Sequence, residues 1–299
     1  MTGAEFFTAI AQISGLLFIV SSMLAMGMSL TMQQIIAPLK ELKLVVLALL
    51  ANFVLVPLLA YLITRVIPLE QPLQIGLIVL ATAAGAPFLP KLVQGAKGNI
   101  ALGVGLMVLL MVVTIVYLPL VLPLLLPGVA VNPWDIAKSL IVLMLVPLAL
   151  GLLIRSHSAE ESSHWQPMFS RISSLALLIL LITGLGLNIS TIIDLIGSNG
   201  ILALLLFVVG SLLIGLLLGG RNPGVSSVMG LGTAQRNVSA AIVVSAQNFS
   251  GTMTLPFVLV AAIVMLLILL PTAKRLGARN AAATGGTTSQ TPGKTDSKA

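Results

Sequence analysis

Two apolar segments of the chain carry helix-breaking residues near their middles: AGAPFLPK at residues 84–91 and GLGTAQRN at residues 230–237. Pro87 and Pro90 remove two helical N–H donors and clash with the preceding turn. Unwound backbone at membrane depth persists only where it is packed within protein or lines a water-filled cavity. The two segments are therefore predicted to be discontinuous helices whose breaks face each other. Ordinary kinks are the alternative, because Gly and Pro are frequent in membrane helices.

The composition outside these segments is that of a membrane protein. Of 299 residues, 58% are hydrophobic and 8% are charged, and the mean hydropathy is +1.14. Soluble domains carry about 25% charged residues, so this composition excludes a soluble enzyme, a disordered protein and a nucleic-acid binder. The chain has no Cys, which excludes disulfides and thiolate metal sites, and its two His lie in one polar loop. We therefore expect no metal site and no cofactor.

Apolar stretches of about 20 residues, the length needed to cross a bilayer, predict nine spans. They cover residues 9–30, 43–65, 72–95, 99–127, 136–155, 169–190, 199–219, 224–247 and 253–273. The loops of one side hold most of the Lys and Arg residues, whereas those of the other side hold only Arg65 and Lys138. This bias predicts an integral plasma-membrane or inner-membrane protein with its N-terminus outside and its C-terminus in the cytoplasm.

The polar C-terminal residues 280–299 are predicted to form a disordered cytoplasmic tail, because Ala, Gly, Thr, Ser and Lys bury little apolar surface. Residues 1–279 are then the transmembrane domain.

A weak internal repeat relates the two halves of the chain. MGMSLT at 26–31 resembles LGLNIS at 185–190, and each motif leads into an Ile-Ile pair. Spans 1–4 would then match spans 6–9 in the opposite orientation, with the two interrupted segments as partners. Inverted repeats with discontinuous helices are typical of secondary transporters. The predicted fold class is therefore an all-α polytopic membrane protein with nine transmembrane helices and an inverted repeat.

Two cations lie within the predicted spans: Arg236 at the middle of span 8 and Lys91 in the later part of span 3. A charge at the centre of a span costs at least ~2.5–3.5 kcal/mol and marks a functional site by default. Arg236 either attracts an anionic substrate or is a structural cation held by carbonyl groups. Lys91 either lines the site or extends to the lipid headgroups. Asn52 in span 2 either is a ligand or forms a polar contact between helices.

These residues resemble those of the bile acid:sodium symporter family. The specific motifs are MGMSLT at 26–31, ANFVLVP at 51–57, AKGNIAL at 96–102 and GTAQRN at 232–237. The resemblance implies a core domain, at about 43–127 and 199–273, in which the two discontinuous helices cross. It also implies a panel domain formed by the spans at about 9–30, 136–155 and 169–190. Members of the family carry bile-acid-like or small carboxylate anions together with two sodium ions.

The sodium ligands of that family are mostly absent from this chain. When the motif is aligned on Asn237, the family's acidic residue falls on Gly232 and its Gln on Arg236. The other expected ligand positions are occupied by Leu89, Pro90, Gly103, Met107 and Asn52. A one-residue shift aligns Gln235 with the family Gln but restores no carboxylate. A guanidinium at this position repels sodium and can bind a carboxylate in bidentate fashion.

The sequence therefore predicts a secondary transporter of organic anions, not an enzyme, that works by alternating access without sodium coupling. The predicted partners are a small organic anion and the lipid bilayer. The predicted substrate-binding residues are Arg236, Asn237, Lys91, Gln235, Thr233 and Pro87.

Three alternatives stay open. A sodium-coupled anion symporter would use backbone carbonyls together with Asn52, Gly232, Thr233 and Gln235. A metalloid exporter of related fold is disfavoured by the absence of Cys. A membrane-embedded enzyme or a sensor is disfavoured because no predicted span carries His, Asp or Glu well inside it.

Overall fold

The computed structural model describes residues 3–36, 40–126, 132–186 and 197–285, and all regular structure in these ranges is helical. The helices are α1 (Gly3–Ser29), α2 (Met32–Ile36), α3 (Leu42–Val66), α4 (Gln71–Thr82), α5 (Leu89–Gly95), α6 (Ile100–Leu125), α7 (Pro133–His157), α8 (Ala159–Gly186), α9 (Gly200–Leu218), α10 (Pro223–Ala234), α11 (Val238–Asn248) and α12 (Thr254–Gly285). Residues 187–190 and Ile192-Ile193, which carry most of the second repeat motif, lie outside the described residues, as do residues 286–299 of the predicted tail.

Within the described ranges, seven helices are long and apolar enough to cross a membrane: α1, α3, α6, α7, α8, α9 and α12. The protein is therefore a polytopic helical membrane protein. The other two predicted spans, 72–95 and 224–247, are each a pair of shorter helices. Residues 83–88 separate α4 from α5, and residues 235–237 separate α10 from α11. Both predicted interruptions are thus present where the sequence indicated them.

Each break has its own local cause. Gly85 adopts φ +78°, and a Cβ at this position would overlap the backbone of Met111 in α6. Only glycine permits both this conformation and this close approach. The second break ends where Asn237 caps α11, because its side-chain oxygen accepts the Ala240 amide at 3.1 Å.

The helices form two groups by their contacts. Helix α1 packs mainly against α8 and against the second half of α7. The broken helices belong to the other group, in which α10 contacts α9, α12 and α6, while α4 contacts α3, α12 and α6. Fewer contacts join the groups, chiefly between α6 and the start of α7, between α2 and α6, and between α8 and α12. The interior between them is where a cavity can form.

The last helix corrects the predicted tail boundary. Helix α12 continues to Gly285, so the prediction of a disordered tail from residue 280 is wrong for residues 280–285. Asn280 is buried, and its Nδ2 donates to Ala96 O at 2.7 Å and to Ser227 Oγ at 3.0 Å. The local composition is polar, but these tertiary contacts hold the last turns of the helix in place.

Candidate functional site

The two breaks are in direct contact. The Asn237 amide donates to Ala83 O at 2.9 Å, and Asn237 Nδ2 donates to Gly85 O at 3.1 Å. Thr114 of α6 completes the pairing, because its hydroxyl accepts the Ala84 amide at 2.9 Å and donates to Ala84 O at 3.1 Å. The unwound backbone is therefore hydrogen-bonded within the protein, as buried polar groups require. The prediction that the breaks face each other is confirmed.

Arg236 is fully buried at the point where the two breaks meet, which we call the crossing, and 0% of its surface is exposed. Its Nε donates to Leu80 O at 3.1 Å, and its terminal nitrogens donate to Ala81 O at 2.7 Å and to Thr233 O at 3.1 Å. These carbonyls belong to the last turns of α4 and α10. Helix C-termini carry partial negative charge and favour cations. The guanidinium therefore lies between the negative ends of two helices.

Asn52 supplies the fourth acceptor. Its Oδ1 accepts from Arg236 at 2.7 Å, and its Nδ2 donates to Ala48 O at 3.0 Å in its own helix. Asn52 lies in a single π-helical turn of α3, Ala51–Leu55, which ends just before Val56-Pro57. Such turns displace side chains from the regular helical register and recur at functional sites. The sequence did not reveal this turn.

This arrangement bears on the two predicted roles of Arg236. A guanidinium has five N–H donors, and four of these bonds go to protein oxygens. One N–H remains, so a bidentate contact with a substrate carboxylate is not available in this conformation. The geometry favours the structural-cation interpretation.

A cavity of about 460 Å³ opens beside the crossing. Its walls come from α1 and α8 on one side and from both breaks, α5, α6, α11 and α12 on the other. Among the predicted substrate residues, Pro87, Lys91, Gln235 and Arg236 line it. Asn237 and Thr233 are buried and are not among the lining residues. Both instead hold the crossing together, Asn237 through Ala83 and Gly85, and Thr233 through Arg236.

Lys91 is exposed at this cavity, unlike Arg236. Its ammonium group lies 5.7 Å from the centroid of the Phe88 ring, within the range of a cation–π contact. A flexible ammonium group has three donors. Lys91 can therefore offer an anion the contacts that the buried guanidinium cannot.

The residues predicted for sodium do not form a free oxygen cage. Asn52 Oδ1 and Thr233 O both accept from Arg236, and Gly232 has no side-chain oxygen. Thr233 Oγ1 lies 3.5 Å from Asn52 Nδ2, which is a long hydrogen bond. Gln235 differs from these residues, because its Oε1 is buried without a hydrogen-bond partner in the described structure.

The polar wall formed by α1, α2 and α8 was not predicted from the sequence. The lining residues there include Ser22, Ser29, Gln34, Gln166, Ser170 and Ser174. Their spacing was the available signal, since residues four apart on a helix share one face, as Gln166, Ser170 and Ser174 do. Ser239 in the first turn of α11 was also missed, and it lines the opposite wall.

A helical membrane protein with two broken helices crossing beside a cavity belongs to the class of architectures that secondary transporters use. The family model of the Sodium Bile acid symporter family matches residues 16–195, more than half of the chain, and the chain belongs to this family. Among curated proteins, none matches the chain significantly. The family is one of membrane transporters of the bile-acid-like or organic-anion type rather than of enzymes.

Proposed function

We propose that the protein is a secondary transporter of organic anions that works by alternating access without sodium coupling. One observation carries the proposal: the guanidinium of Arg236 is fully buried and bonded to the carbonyl ends of both broken helices. In transporters with broken helices, such carbonyl ends are the groups that coordinate sodium. Here the guanidinium of Arg236, a cation that is part of the chain, is hydrogen-bonded to these carbonyl groups.

Electrostatics argues against a sodium ion in the same place. Two unit positive charges 4 Å apart repel by about 4 kcal/mol at an effective dielectric constant of about 20. A repulsion of this size weakens binding by about a thousandfold. The sodium-coupled alternative needs Asn52 Oδ1 and the Thr233 carbonyl, both of which accept from Arg236. It would require the guanidinium to leave its present position.

The cavity supports a monoanion with an apolar or hydroxylated body as the substrate. Lys91 offers a mobile positive charge, and α11 begins at the cavity with Val238 and Ser239. Helix N-termini favour anions. The remaining walls combine apolar residues, such as Val104, Met107 and Leu266, with the polar residues of α1, α2 and α8. We place the carboxylate between Lys91 and the start of α11.

The transport cycle follows from the two helix groups. We propose that α1, α7 and α8 are the panel and that the other spans are the core. Counting each broken helix pair as one span gives nine spans, arranged as an inverted repeat of spans 1–4 and 6–9. Rocking of one group against the other would open the cavity alternately to the two sides.

The first test is ligand binding in two salts. The purified protein is screened by thermal shift against a panel of organic anions, in sodium and in potassium at equal ionic strength. A ligand at a hundredfold excess over its Kd stabilises the folded state by about 2.7 kcal/mol. We expect some carboxylates to raise Tm equally in both salts, and their uptake into proteoliposomes to need no sodium gradient.

Two variants sharpen this test. Lys91→Gln should weaken anion binding, whereas Lys274→Gln, on the exposed surface of α12, should leave it unchanged. Stabilisation that appears only in sodium, with a saturable sodium dependence, would favour the sodium-coupled alternative and overturn the proposal.

A further inference from the structure

Five basic residues lie on three segments that meet at one end of the bundle: Lys97 between α5 and α6, Arg221 before α10, and Lys274, Arg275 and Arg279 in α12. We propose that Lys97, Arg275 and Arg279 form a basic surface that binds the headgroup of an anionic phospholipid. The lipid would hold α12 against the outer ends of the two broken helices. It would be a structural partner of the protein and not the transported substrate.

The three segments are in direct contact. Asn280 of α12 donates through Nδ2 to Ala96 O, just after α5, at 2.7 Å and to Ser227 Oγ in α10 at 3.0 Å. A Cβ at Gly277 would lie 2.5 Å from Gly95 O, so the backbone of α12 passes close to the end of α5. The last turns of α12 therefore lie between the end of one broken helix and the start of the other.

Three exposed cations flank this junction. Lys97 directly follows Ala96, Arg279 directly precedes Asn280, and Arg275 lies one turn before Arg279 on the same face of α12. The side chains of all three cations are exposed. Clusters of Lys and Arg beside the end of a spanning helix bind anionic lipid headgroups.

The segments that carry these cations contain no carboxylate. Residues 94–99, 219–226 and 270–285 include neither Asp nor Glu. Their positive charges are therefore not neutralised from within the same segments, and the surface has a charge complementary to that of an anionic phospholipid.

The length of α12 places its cations at the level of the headgroups. The helix has 32 residues, which is about 48 Å at 1.5 Å per residue, whereas the hydrocarbon core of a bilayer is about 30 Å thick. Leu267 and Leu270, which are 69% and 44% exposed, precede Arg275 on the exposed side of the helix. One lipid molecule can therefore place its acyl chains along the leucines and its headgroup beside the cations, which favours a phospholipid over a soluble anion.

The backbone of Lys97 is a separate observation. Lys97 adopts φ +48°, a left-handed conformation that residues other than Gly, Asn and Asp rarely adopt. Strained backbone that persists is concentrated at functional sites and ligand clamps. Glycine would adopt this conformation without strain, but it would lack the positive charge. A contact between the ammonium group and a lipid headgroup accounts for a lysine at this position.

The experiment compares two phospholipids with the same acyl chains, anionic phosphatidylglycerol and zwitterionic phosphatidylcholine. The full-length protein in detergent micelles is titrated with each lipid, and its Tm is recorded. We expect phosphatidylglycerol to raise Tm in a saturable way, because it binds the folded state, and phosphatidylcholine to have no such effect. Glycerol 3-phosphate, which has the anionic group without acyl chains, should not raise Tm at the same concentrations.

Two triple variants test the location of the surface. The combination of Lys97→Gln, Arg275→Gln and Arg279→Gln should abolish the response to phosphatidylglycerol, and each single substitution should raise the midpoint of the titration about fivefold. The combination of Lys40→Gln, Lys43→Gln and Arg171→Gln is the matched control. It removes the same charge from exposed positions on other segments and should keep the response. In phosphatidylcholine alone, both triple variants should have the Tm of the unmodified protein.

Each remaining outcome would overturn the lipid surface. A response that survives in the first triple variant, or that is lost equally in the control, would show that binding follows net charge and not these residues. Equal stabilisation by phosphatidylcholine would remove the role of headgroup charge, and equal stabilisation by glycerol 3-phosphate would assign the surface to a soluble anion. If the first triple variant does not fold, the three single variants decide. None of these measurements uses an organic-anion substrate, so the proposed function stands or falls separately.

Discussion

Under the proposed function, the side chain of Arg236 takes the place of a bound ion. Its guanidinium satisfies three backbone carbonyls and one amide oxygen at the crossing. Each of these acceptors would cost about 1–3 kcal/mol if it were buried without a partner. In a chain without this arginine, a bound cation or water molecules would have to pair with these oxygens. The residue therefore has a structural role whether or not it contacts substrate.

Replacing Arg236 should expose a latent sodium site. In Arg236→Gln the carbonyls of Leu80, Ala81 and Thr233 lose their charged donor. A buried acceptor left without a partner costs about 1–3 kcal/mol, so we expect a destabilisation of at least about that size. The freed oxygens are hard ligands of the kind that sodium prefers. We expect sodium to raise the Tm of this variant above its value in potassium, with no such difference in the unmodified protein.

Arg221→Gln, on the exposed surface before α10, is the matched control and should show neither effect. An Arg236→Gln protein with unchanged stability and no response to sodium would contradict the idea that the guanidinium takes the place of an ion.

At this scale the sequence singled out Arg236 but did not predict its contacts. Arg236 was recognisable because it is a cation in the middle of an apolar span. Its partners Leu80 and Ala81 are apolar residues that act only through backbone carbonyls, so no side-chain pattern could indicate them. Asn237 was predicted to bind substrate, yet it caps α11 and joins the breaks. Polar residue type alone does not distinguish these roles.

At the scale of the elements, some helices pack so closely that their backbones are in contact. Helices α1 and α7 cross where Gly27 and Gly151 face each other. A Cβ at Gly27 would overlap Leu148 O and lie 2.8 Å from Leu152 N and 2.9 Å from the Gly151 Cα. Small residues at such crossings let the backbones of membrane helices touch. Both helices belong to the proposed panel.

Gly27→Ala should therefore destabilise the protein although alanine is the better helix former. The clash is with backbone rather than with a movable side chain, and overpacking of this kind costs about 1–3 kcal/mol or more. The control is Gly15→Ala in the same helix, where the nearest atoms to a new Cβ are Leu180 methyl groups at 3.8 Å. Gly15→Ala should be neutral or stabilising by up to about 1 kcal/mol. Thermal unfolding in detergent compares the two, and equal Tm values would show that the helices separate easily at this crossing.

The last helix gives a second element-scale prediction. Asn280 of α12 connects Ala96, just after α5, with Ser227 in α10, and so joins the two broken helices away from their crossing. Asn280→Ala should lower stability by about 1–3 kcal/mol, because two elements lose their shared partner. Asn248→Ala is the control, since among the described residues Asn248 Nδ2 donates only to Val244 O in its own helix. Similar Tm losses in the two variants would mean that the Asn280 contact adds nothing beyond a local hydrogen bond.

Element boundaries were predictable where Gly, Pro or an Asn cap marks them, and not elsewhere. The breaks at 83–88 and 235–237 follow from such residues. The π-helical turns Ala51–Leu55 and Ile141–Leu145 each precede a Val-Pro pair, but proline alone does not specify a π turn. The end of α12 was misjudged because its last turns depend on contacts with α10 and with the residue after α5. Such contacts are invisible in a window of local composition.

At the scale of the whole molecule, the position of the cavity and the distribution of basic residues together indicate to which side of the membrane the cavity opens. The polar wall of the cavity lies at the end of the bundle where α1 finishes and α8 begins. At that end Arg155 lies in the last turn of α7, and Arg171 follows in the first half of α8. Under the proposed orientation this end faces the cytoplasm, so the described structure would be the inward-open state of the transport cycle.

Because the chain contains no Cys, a single introduced thiol can test both the orientation and the opening. Ser170→Cys, in the cavity wall, should react with a membrane-impermeant thiol reagent only in inside-out vesicles, and a bound organic anion should slow the reaction. Trp134→Cys, exposed near the start of α7, should react only in right-side-out vesicles, and Leu178→Cys, on the outer face of α8, should react in neither. Exchange of both side preferences would reverse the proposed orientation. Reaction of Ser170→Cys from the same side as Trp134→Cys would instead place the cavity opening at the other face of the membrane.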